Sequence, residues 1–320
     1  MQTGWNNLWF KLIDARQYAA LRILFGGLSC GYFLALLPYV DSHFSRLGWL
    51  GDIQQIASQN GGSWSIFFIH TDWHLALLAY AIISLGILAA FLMMIGWQSR
   101  CTAFITWLVW VSLWNRNPLM MDGDDAILKM MCFYLILSPC GNCWSVDACL
   151  QKIPQQVIVW PLRLIQFQIA LVYFVSGWVK FHSIEWEDGT IIQYVLIHPE
   201  YSRWDGWLFT DYTLIKSVLA GLAWFIRYWE LLFPVLLINP HTRRLTIVIG
   251  ILFHLSLLLS MHLRWFPVIM LSLYPALLSN SFFIHIENKL HKYKQRLSCK
   301  YSPPPLKKGE SKARGRGGFI

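Results

Sequence analysis

A transmembrane helix needs roughly 20 consecutive, mostly apolar residues, and this chain supplies such stretches repeatedly. Eight can be marked out, at about 19–40 (AALRILFGGLSCGYFLALLPYV), 73–97, 101–115, 124–139, 160–180, 213–238, 243–261 and 265–285. Only 13% of the residues are charged, against about 25% in a soluble domain, and the mean hydropathy is +0.44. A soluble enzyme is excluded. The expected architecture is all-α, a polytopic transmembrane helical bundle of about eight spans, with six and nine as the bounds. The fourth and sixth runs are the least regular because they contain ionisable residues. No internal repeat or soluble domain is evident.

The net charge of +9 is concentrated at one end. Residues 287–320 hold ten basic side chains against Glu287 and Glu310, which is +8 of the total. A nucleic-acid-binding face is therefore not indicated. The sequence divides into a transmembrane domain, 1–285, and a basic cytoplasmic tail, 286–320, whose Ser302-Pro303-Pro304-Pro305 and Gly-rich end read as disordered. Such a tail beside a last span marks the cytoplasmic side and can touch anionic lipid. Residues 1–16 lack the pattern of a cleavable signal, so the first run reads as a retained span. With eight spans both termini are cytoplasmic, in a bacterial plasma (inner) membrane. The short inside segments then hold Lys11, Arg16, Arg100, Lys152, Arg163, Arg243 and Arg244. The outside segments hold Arg46, Arg116, Arg203 and Arg264, with Lys180 and Lys216 at span ends, a bias of the expected sign. Two outside loops are long, 41–72 and 181–212, and the second is rich in acids (Glu185, Glu187, Asp188, Glu200, Asp205, Asp211).

A charge inside a span is costly and marks either a structural pair or a functional site. Arg22, early in the first run, reads as a snorkelling arginine or as a buried structural one. Asp124, Asp125 and Lys129 open the fourth run, and the four-residue spacing of Asp125 and Lys129 predicts a self-neutralised pair on one helix face. Lys180 ends the fifth run as an interfacial anchor or as a base, since burial favours the neutral amine that can take a proton. Arg227 and Glu230, three apart in the sixth run, predict an ion pair. His254, within the seventh, reads as a core histidine or a site residue. Cys140-x2-Cys143 with Cys149 lacks a second ligand pair, so reduced thiols are expected rather than zinc. Gly27-x3-Gly31 reads as a helix-packing motif.

Several stretches carry a family resemblance: Leu21-Arg22-Ile23-Leu24-Phe25-Gly26, Gly96-Trp97-Gln98-Ser99-Arg100, NRNPLMMDGDDAIL (115–128), Cys143-Trp144-Ser145-Val146-Asp147, Phe253-His254 and, above all, QIALVYFVSGWVKFHSIEWEDG (168–189). Across most of residues 14–285 the chain resembles the vitamin K-dependent gamma-glutamyl carboxylase family, specifically its bacterial HTTM-like membrane domain. The resemblance implies that Lys180 is the base that deprotonates a reduced quinone. It departs in three ways: Asp124-Asp125 stand where the carboxylase has Asn-His, a dibasic motif at the lysine is reduced to Val179-Lys180, and no large lumenal region follows the last span. Peptide carboxylation is therefore not expected, whereas quinol deprotonation can survive.

Two functions follow as expectations. The first is a quinol- or lipid-linked membrane enzyme with Lys180, Asp124, Asp125 and His254 as catalytic candidates. Arg22, Lys129, Glu185, Trp186, Arg227 and Glu230 would support them, and a membrane lipid or reduced quinone would be the partner. The second is a non-enzymatic partner, immunity or transport component on the same scaffold. Neither requires a metal, and no protein partner can be named.

Overall fold

The computed structural model describes residues 2–45, 48–50, 63–68, 75–151, 153–206 and 212–301 of the 320. Arg46, Lys152, Asp211, most of the 41–72 loop and the tail from Ser302 lie outside the described residues. Two compact units are formed, residues 1–280 and 281–320. The first holds helices α1 (Gln2–Trp9), α2 (Arg16–Leu36), α3 (Val40–Phe44), α4 (Leu75–Ile95), α5 (Ser99–Arg116), α6 (Gly123–Leu137), α7 (Val146–Leu150), α8 (Trp160–Phe181), α9 (Ile184–Glu187), α10 (Ile191–Ile197), α11 (Thr213–Ile238), α12 (Arg243–Ser260) and α13 (Phe266–Leu273). Helix α14 (Asn280–Tyr301) forms the second, and its helical backbone runs through the first part of the segment expected to be a disordered tail. Sheet is confined, among the described residues, to a two-stranded antiparallel ribbon of β1 (Leu12–Asp14) and β2 (Gln156–Ile158), registered Leu12 to Ile158.

The bundle is all-α, as the apolar runs predict. Five helical segments are long and apolar enough to cross a membrane: Arg16–Phe44, Ala76–Ile95, Trp160–Phe181, Thr213–Ile238 and Arg243–Ser260. A sixth is added if Phe266–Ala276 and Asn280–Lys289 count as one broken span. The third and fourth expected spans are present as α5 and α6 but fall short of that measure. Helix α6 is only 15 residues long and opens on two aspartates, and α5 is diluted by Ser, Thr, Asn and Arg.

Contacts between helix ends show the helices alternating in direction. The start of α2 meets the end of α4 through Arg22, and the start of α5 meets the turn after α6, where Arg100 Nε donates to Ser138 O at 3.3 Å. The starts of α2, α8 and α12 gather around the turn after α13. There Gln17 donates to Leu278 O (2.6 Å), Gln166 to Ala276 O (2.7 Å) and Arg243 to Leu277 O (2.9 Å). At the opposite end, the side chain of Arg116 donates to Phe44 O (3.2 Å) and Ser45 O (2.9 Å), and Asn117 to His43 O (3.0 Å). Large apolar side chains such as Leu77, Leu88, Leu252 and Leu259 face outward, as a lipid-facing surface requires.

Arg22 is fully buried and does not snorkel. Its guanidinium donates to Cys140 O (3.0 Å), Met93 O (3.0 Å), Met94 O (2.9 Å) and Trp144 O (2.5 Å). The planar fork of arginine suits this, since its five N–H groups can serve several carbonyls at once. Gly96, at φ +78°, turns the chain between α4 and α5, and a Cβ there would lie 2.1 Å from Arg22 Nη1. Asp147 completes the joint from the other side. Its carboxylate accepts from Gln98 N (2.8 Å), Ser99 N (2.9 Å) and Ser99 Oγ (2.8 Å), supplying the acceptor that the first turn of α5 lacks. Three stretches of the family signature thus meet at one structural joint. Asp147→Ala is expected to lower stability by about 1–2 kcal/mol, read as a lower melting temperature of the purified protein in detergent.

The glycine that permits close packing in α2 is Gly26 rather than the pair at 27 and 31. A Cβ on Gly26 would lie 2.7 Å from Met94 N, whereas at Gly27 and Gly31 it would meet only side-chain atoms at 3.4 and 3.6 Å.

Candidate functional site

Helices α8 and α11 cross with their backbones touching. A Cβ on Gly177 would come within 2.3 Å of Leu231 N and 2.8 Å of Glu230 C. One turn later on α8 stands Lys180, and this close crossing brings its ammonium onto the carboxylate of Glu230. The Lys180 side chain is 19% exposed and that of Glu230 4%. Lys180 Nζ also donates to Ser176 Oγ at 2.8 Å and lies 5.0 Å from the centre of the Trp186 ring. The pair therefore sits largely out of water, where its mutual attraction is strong and the loss of either partner is costly. Gly177→Ala should force the helices apart, costing about 1–3 kcal/mol and loosening the pair. A melting curve checks the first effect, and a smaller Lys180–Glu230 coupling in a double-mutant cycle on the Gly177→Ala background checks the second.

The pair lies on the wall of a cavity of about 750 Å³ formed by α8, α10, α11, α12 and α13. Most of the lining is aliphatic or aromatic. Polar groups enter at Lys180, Glu230, Ser176, Tyr173 and His254, and at Ser256 and Ser260, whose hydroxyls donate to Phe253 O and Ser256 O of their own helix. Tyr173 is buried and its hydroxyl lies 2.7 Å from both His254 Nε2 and Tyr274 Oη. Tyr274 can reach it because residue 250 is glycine, where a Cβ would lie 1.9 Å from the Tyr274 hydroxyl. His254 Nδ1 and Trp229 Nε1 are buried with no hydrogen-bond partner among the described residues.

The remaining sequence candidates are distributed differently. Arg227 does not pair with Glu230, because Lys180 occupies that carboxylate. The guanidinium instead donates to Phe181 O and lies 4.4 Å from the centre of the Phe181 ring. Asp125 does not pair with Lys129 either. The Asp125 carboxylate accepts from Asp122 N at 2.9 Å in a capping box that closes the first turn of α6. Lys129 Nζ sits 3.8 Å over the Trp114 ring. Neither Asp124 nor Asp125 lines the cavity that holds Lys180. Asp125 has electrostatic contact with Tyr32, which lines a separate space of about 270 Å³ with Tyr39, His43, Met120, Arg264 and Trp265. Glu185 is exposed, and the Ser183 hydroxyl holds its carboxyl below the usual range, so it is ionised on the short helix α9 beside Trp186. Cys140 is buried with its thiol on Leu135 O, and Cys149 is exposed. Among the described residues no cluster of His, Cys, Asp and Glu is arranged to hold a metal.

Two cavity residues, Glu230 and Tyr173, and Tyr274 behind Tyr173 are not assembled by spacing along the sequence. The interval between Arg227 and Glu230 points to the wrong cation for Glu230. Tyr173 lies seven positions before Lys180 and so shares its helix face, a spacing that marks it out in retrospect. Tyr274 has no sequence signal at all.

The HTTM-domain family model matches residues 10–282. The chain belongs to the HTTM family. It is 24% identical over 189 residues to the sporulation-delaying protein SdpB of Bacillus subtilis (strain 168), covering 57% of this chain and 58% of that one. It is 28% identical over 139 residues to the uncharacterised protein YitO of the same organism, covering 41% and 43%. The chain thus spans about half the length of the curated relatives it matches. No solved structure matches. The matched segment of the HTTM family contains both the Arg22 joint and the whole cavity.

Proposed function

We propose that this HTTM-family membrane protein binds a quinol-class or similar lipid-soluble substrate in the 750 Å³ cavity and takes a proton from it with the Lys180–Glu230 pair. The observation that carries the reading is an ion pair, largely out of water, on the wall of a mostly apolar cavity. Quinol oxygens meet the polar wall while ring and tail fill the apolar remainder. Proton transfer from a quinol hydroxyl to the pair leaves Glu230 as the neutral acid and the quinolate facing the Lys180 ammonium. The acceptor is then the pair as a unit, with Lys180 supplying the positive charge that stabilises the anion. His254 and Tyr173 offer further hydrogen bonds to the ligand. Asp124 and Asp125 act elsewhere, at the α6 cap.

The same reading puts both termini on the cytoplasmic side of a bacterial inner membrane. Its support is the sorting of Arg16, Arg100, Arg163 and Arg243 to one end of the bundle, which the positive-inside rule assigns to the cytoplasm. Lys180 then opens toward the outer face.

The test is identification by mass spectrometry of lipids and quinones that co-purify with the wild type and with Lys180→Ala. Enrichment of a quinone over bulk lipid in the wild type, lost in the variant, supports the reading. Identical profiles from the two proteins would sink it. A second reading, a non-enzymatic membrane partner or immunity component, draws on the relative named sporulation-delaying protein. It predicts that Lys180 merely neutralises Glu230, and so it gains if the profiles are the same.

A further inference from the structure

The chain has traversed the bundle for the last time before α14 begins. Arg264 pairs with Asp122 at 3.6 Å, at the end of the bundle where α6 starts. Leu278 O accepts from Gln17 (2.6 Å) and Leu277 O from Arg243 (2.9 Å), at the opposite end, where α2 and α12 start. Residues 265–278 therefore run the length of the bundle, and the chain enters α14 from the end that carries Arg16, Arg100 and Arg243. That end has the surface of a lipid–water boundary. Trp5 and Leu8, three apart on α1, are exposed, and exposed Phe10 and Leu12 follow on either side of Lys11. Aromatic and basic side chains gather at such a boundary.

Two sequence periods interleave along α14. Apolar residues stand at 282, 286, 290, 293 and 297 (Phe, Ile, Leu, Tyr, Leu), and basic ones at 289, 292, 296 and 300 (Lys, Lys, Arg, Lys). Intervals of three and four put each set on one side of a helix. Positions 289, 292 and 296 each directly precede a member of the apolar set, so the two sides adjoin. Phe282 and Ile286 are 45% and 36% exposed, and Ile284, also exposed, lies off the apolar side. With Lys294, the helix carries five basic residues against Glu287 alone. So many charges keep a helix out of hydrocarbon. An apolar side bordered by a basic one is the pattern of a helix that lies in the membrane interface.

We infer that α14 is an in-plane membrane anchor that binds the anionic surface of the bilayer the bundle spans, its apolar side turned to lipid and its basic side to lipid phosphates. It is then neither half of a broken span with Phe266–Ala276 nor the start of a tail in water. Continuity and charge choose the occupant. The chain delivers α14 to the headgroup level, and an uncharged surface would use only its apolar side. A flat helix of 22 residues is about 33 Å long, so its basic side can reach several lipids at once. This inference is independent of the reading of the Lys180 cavity.

The experiment measures amide hydrogen exchange of the full chain in nanodiscs of phosphatidylcholine alone and of phosphatidylcholine mixed with phosphatidylglycerol. Wild-type amides of α14 should exchange about tenfold or more slowly in the anionic discs, since each Lys or Arg near an anionic surface strengthens attachment by about fivefold. Raising the salt to about 1 M, where charges are screened within about 3 Å, should erase the difference. A variant carrying Lys289→Glu, Lys292→Glu and Arg296→Glu should exchange at the phosphatidylcholine rate in both discs, whereas Lys289→Arg with Lys292→Arg should match the wild type. Unchanged slow exchange in α2 and α8 certifies the fold of each variant. If α14 is equally slow in both discs and in the Glu variant, it crosses the membrane or packs on protein, and the inference is overturned. If it is equally fast in both discs, it stands in water, which overturns the inference as well.

Discussion

Replacing Lys180 with alanine is expected to destabilise the protein by about 3–5 kcal/mol, the usual consequence of leaving one member of a buried pair without its partner. The Glu230 side chain is 4% exposed and its carboxylate is engaged by Lys180. Without the ammonium it must either take up a proton or draw water into an apolar cavity. Glu230→Ala should be similarly costly, because Lys180 would retain only the Ser176 hydroxyl and the Trp186 ring, with no counter-charge. The double substitution Lys180→Met with Glu230→Leu should recover most of the loss, since well-packed apolar replacements for a buried pair are often neutral in stability. Melting curves of the wild type, Lys180→Met, Glu230→Leu and the double variant close a double-mutant cycle, and a coupling below about 1 kcal/mol would show that the contact contributes little. The double variant also separates stability from function. It should fold and yet fail to enrich a quinone, whereas a protein in which the pair is only structural would keep whatever lipid profile it has.

The second large effect is expected at Arg22. Arg22→Met removes the donor to four carbonyls, those of Met93 and Cys140 in buried bonds and those of Met94 and Trp144 in partly buried ones. Met93 O keeps a bond from Gly96 N and water can reach the partly buried pair, so at about 1–3 kcal/mol for a buried acceptor left unsatisfied the loss is about 2–4 kcal/mol. That is a large part of the total stability of most domains. Arg22→Lys should be intermediate, because a single ammonium cannot reach both sides of the joint as a planar fork does. The measurement is the yield of monodisperse protein in detergent together with its melting temperature. A fully stable Arg22→Met would mean that the joint is held by Asp147 and the helix packing alone.

What could be read in the sequence follows from what each signal depends on. Apolar run length reports the all-α bundle directly, because a lipid-facing helix must be apolar along its length. At α5 and α6 the apolar runs become bundle helices that are shorter or diluted with polar residues, so run length fixes the number of spans only approximately. Pairing by spacing along one helix failed in both cases where it was applied. Asp125 and Lys129 have the right interval, but Asp125 is claimed by the helix cap and Lys129 by Trp114. Arg227 and Glu230 have it too, but Glu230 is taken by a lysine 50 residues away, brought close by a glycine crossing that has no sequence signature. The partners of Arg22 were illegible for a simpler reason: all four are backbone carbonyls, which every residue possesses. Of the candidate site, Lys180, Trp186, Glu230 and His254 border one cavity, while Asp124 and Asp125 do not. Adjacency to a polar turn in the sequence could not tell those two groups apart.

The Arg22 joint also sets an order of events during synthesis. The guanidinium belongs to α2, but its last partner, Trp144, follows 122 residues later. At about 5–20 residues per second, the arginine waits on the order of ten seconds before its permanent acceptors exist. During that interval a long side chain near the end of a span can reach the membrane surface and bond to water and headgroups. Snorkelling and burial are then successive stages in the life of the same residue, and the joint closes only when the chain between α6 and α8 has been made. A ribosome stalled before residue 144 would hold a first span whose arginine is still solvated, and accessibility of that end to a water-soluble probe, falling as longer nascent chains are examined, would record the moment of closure.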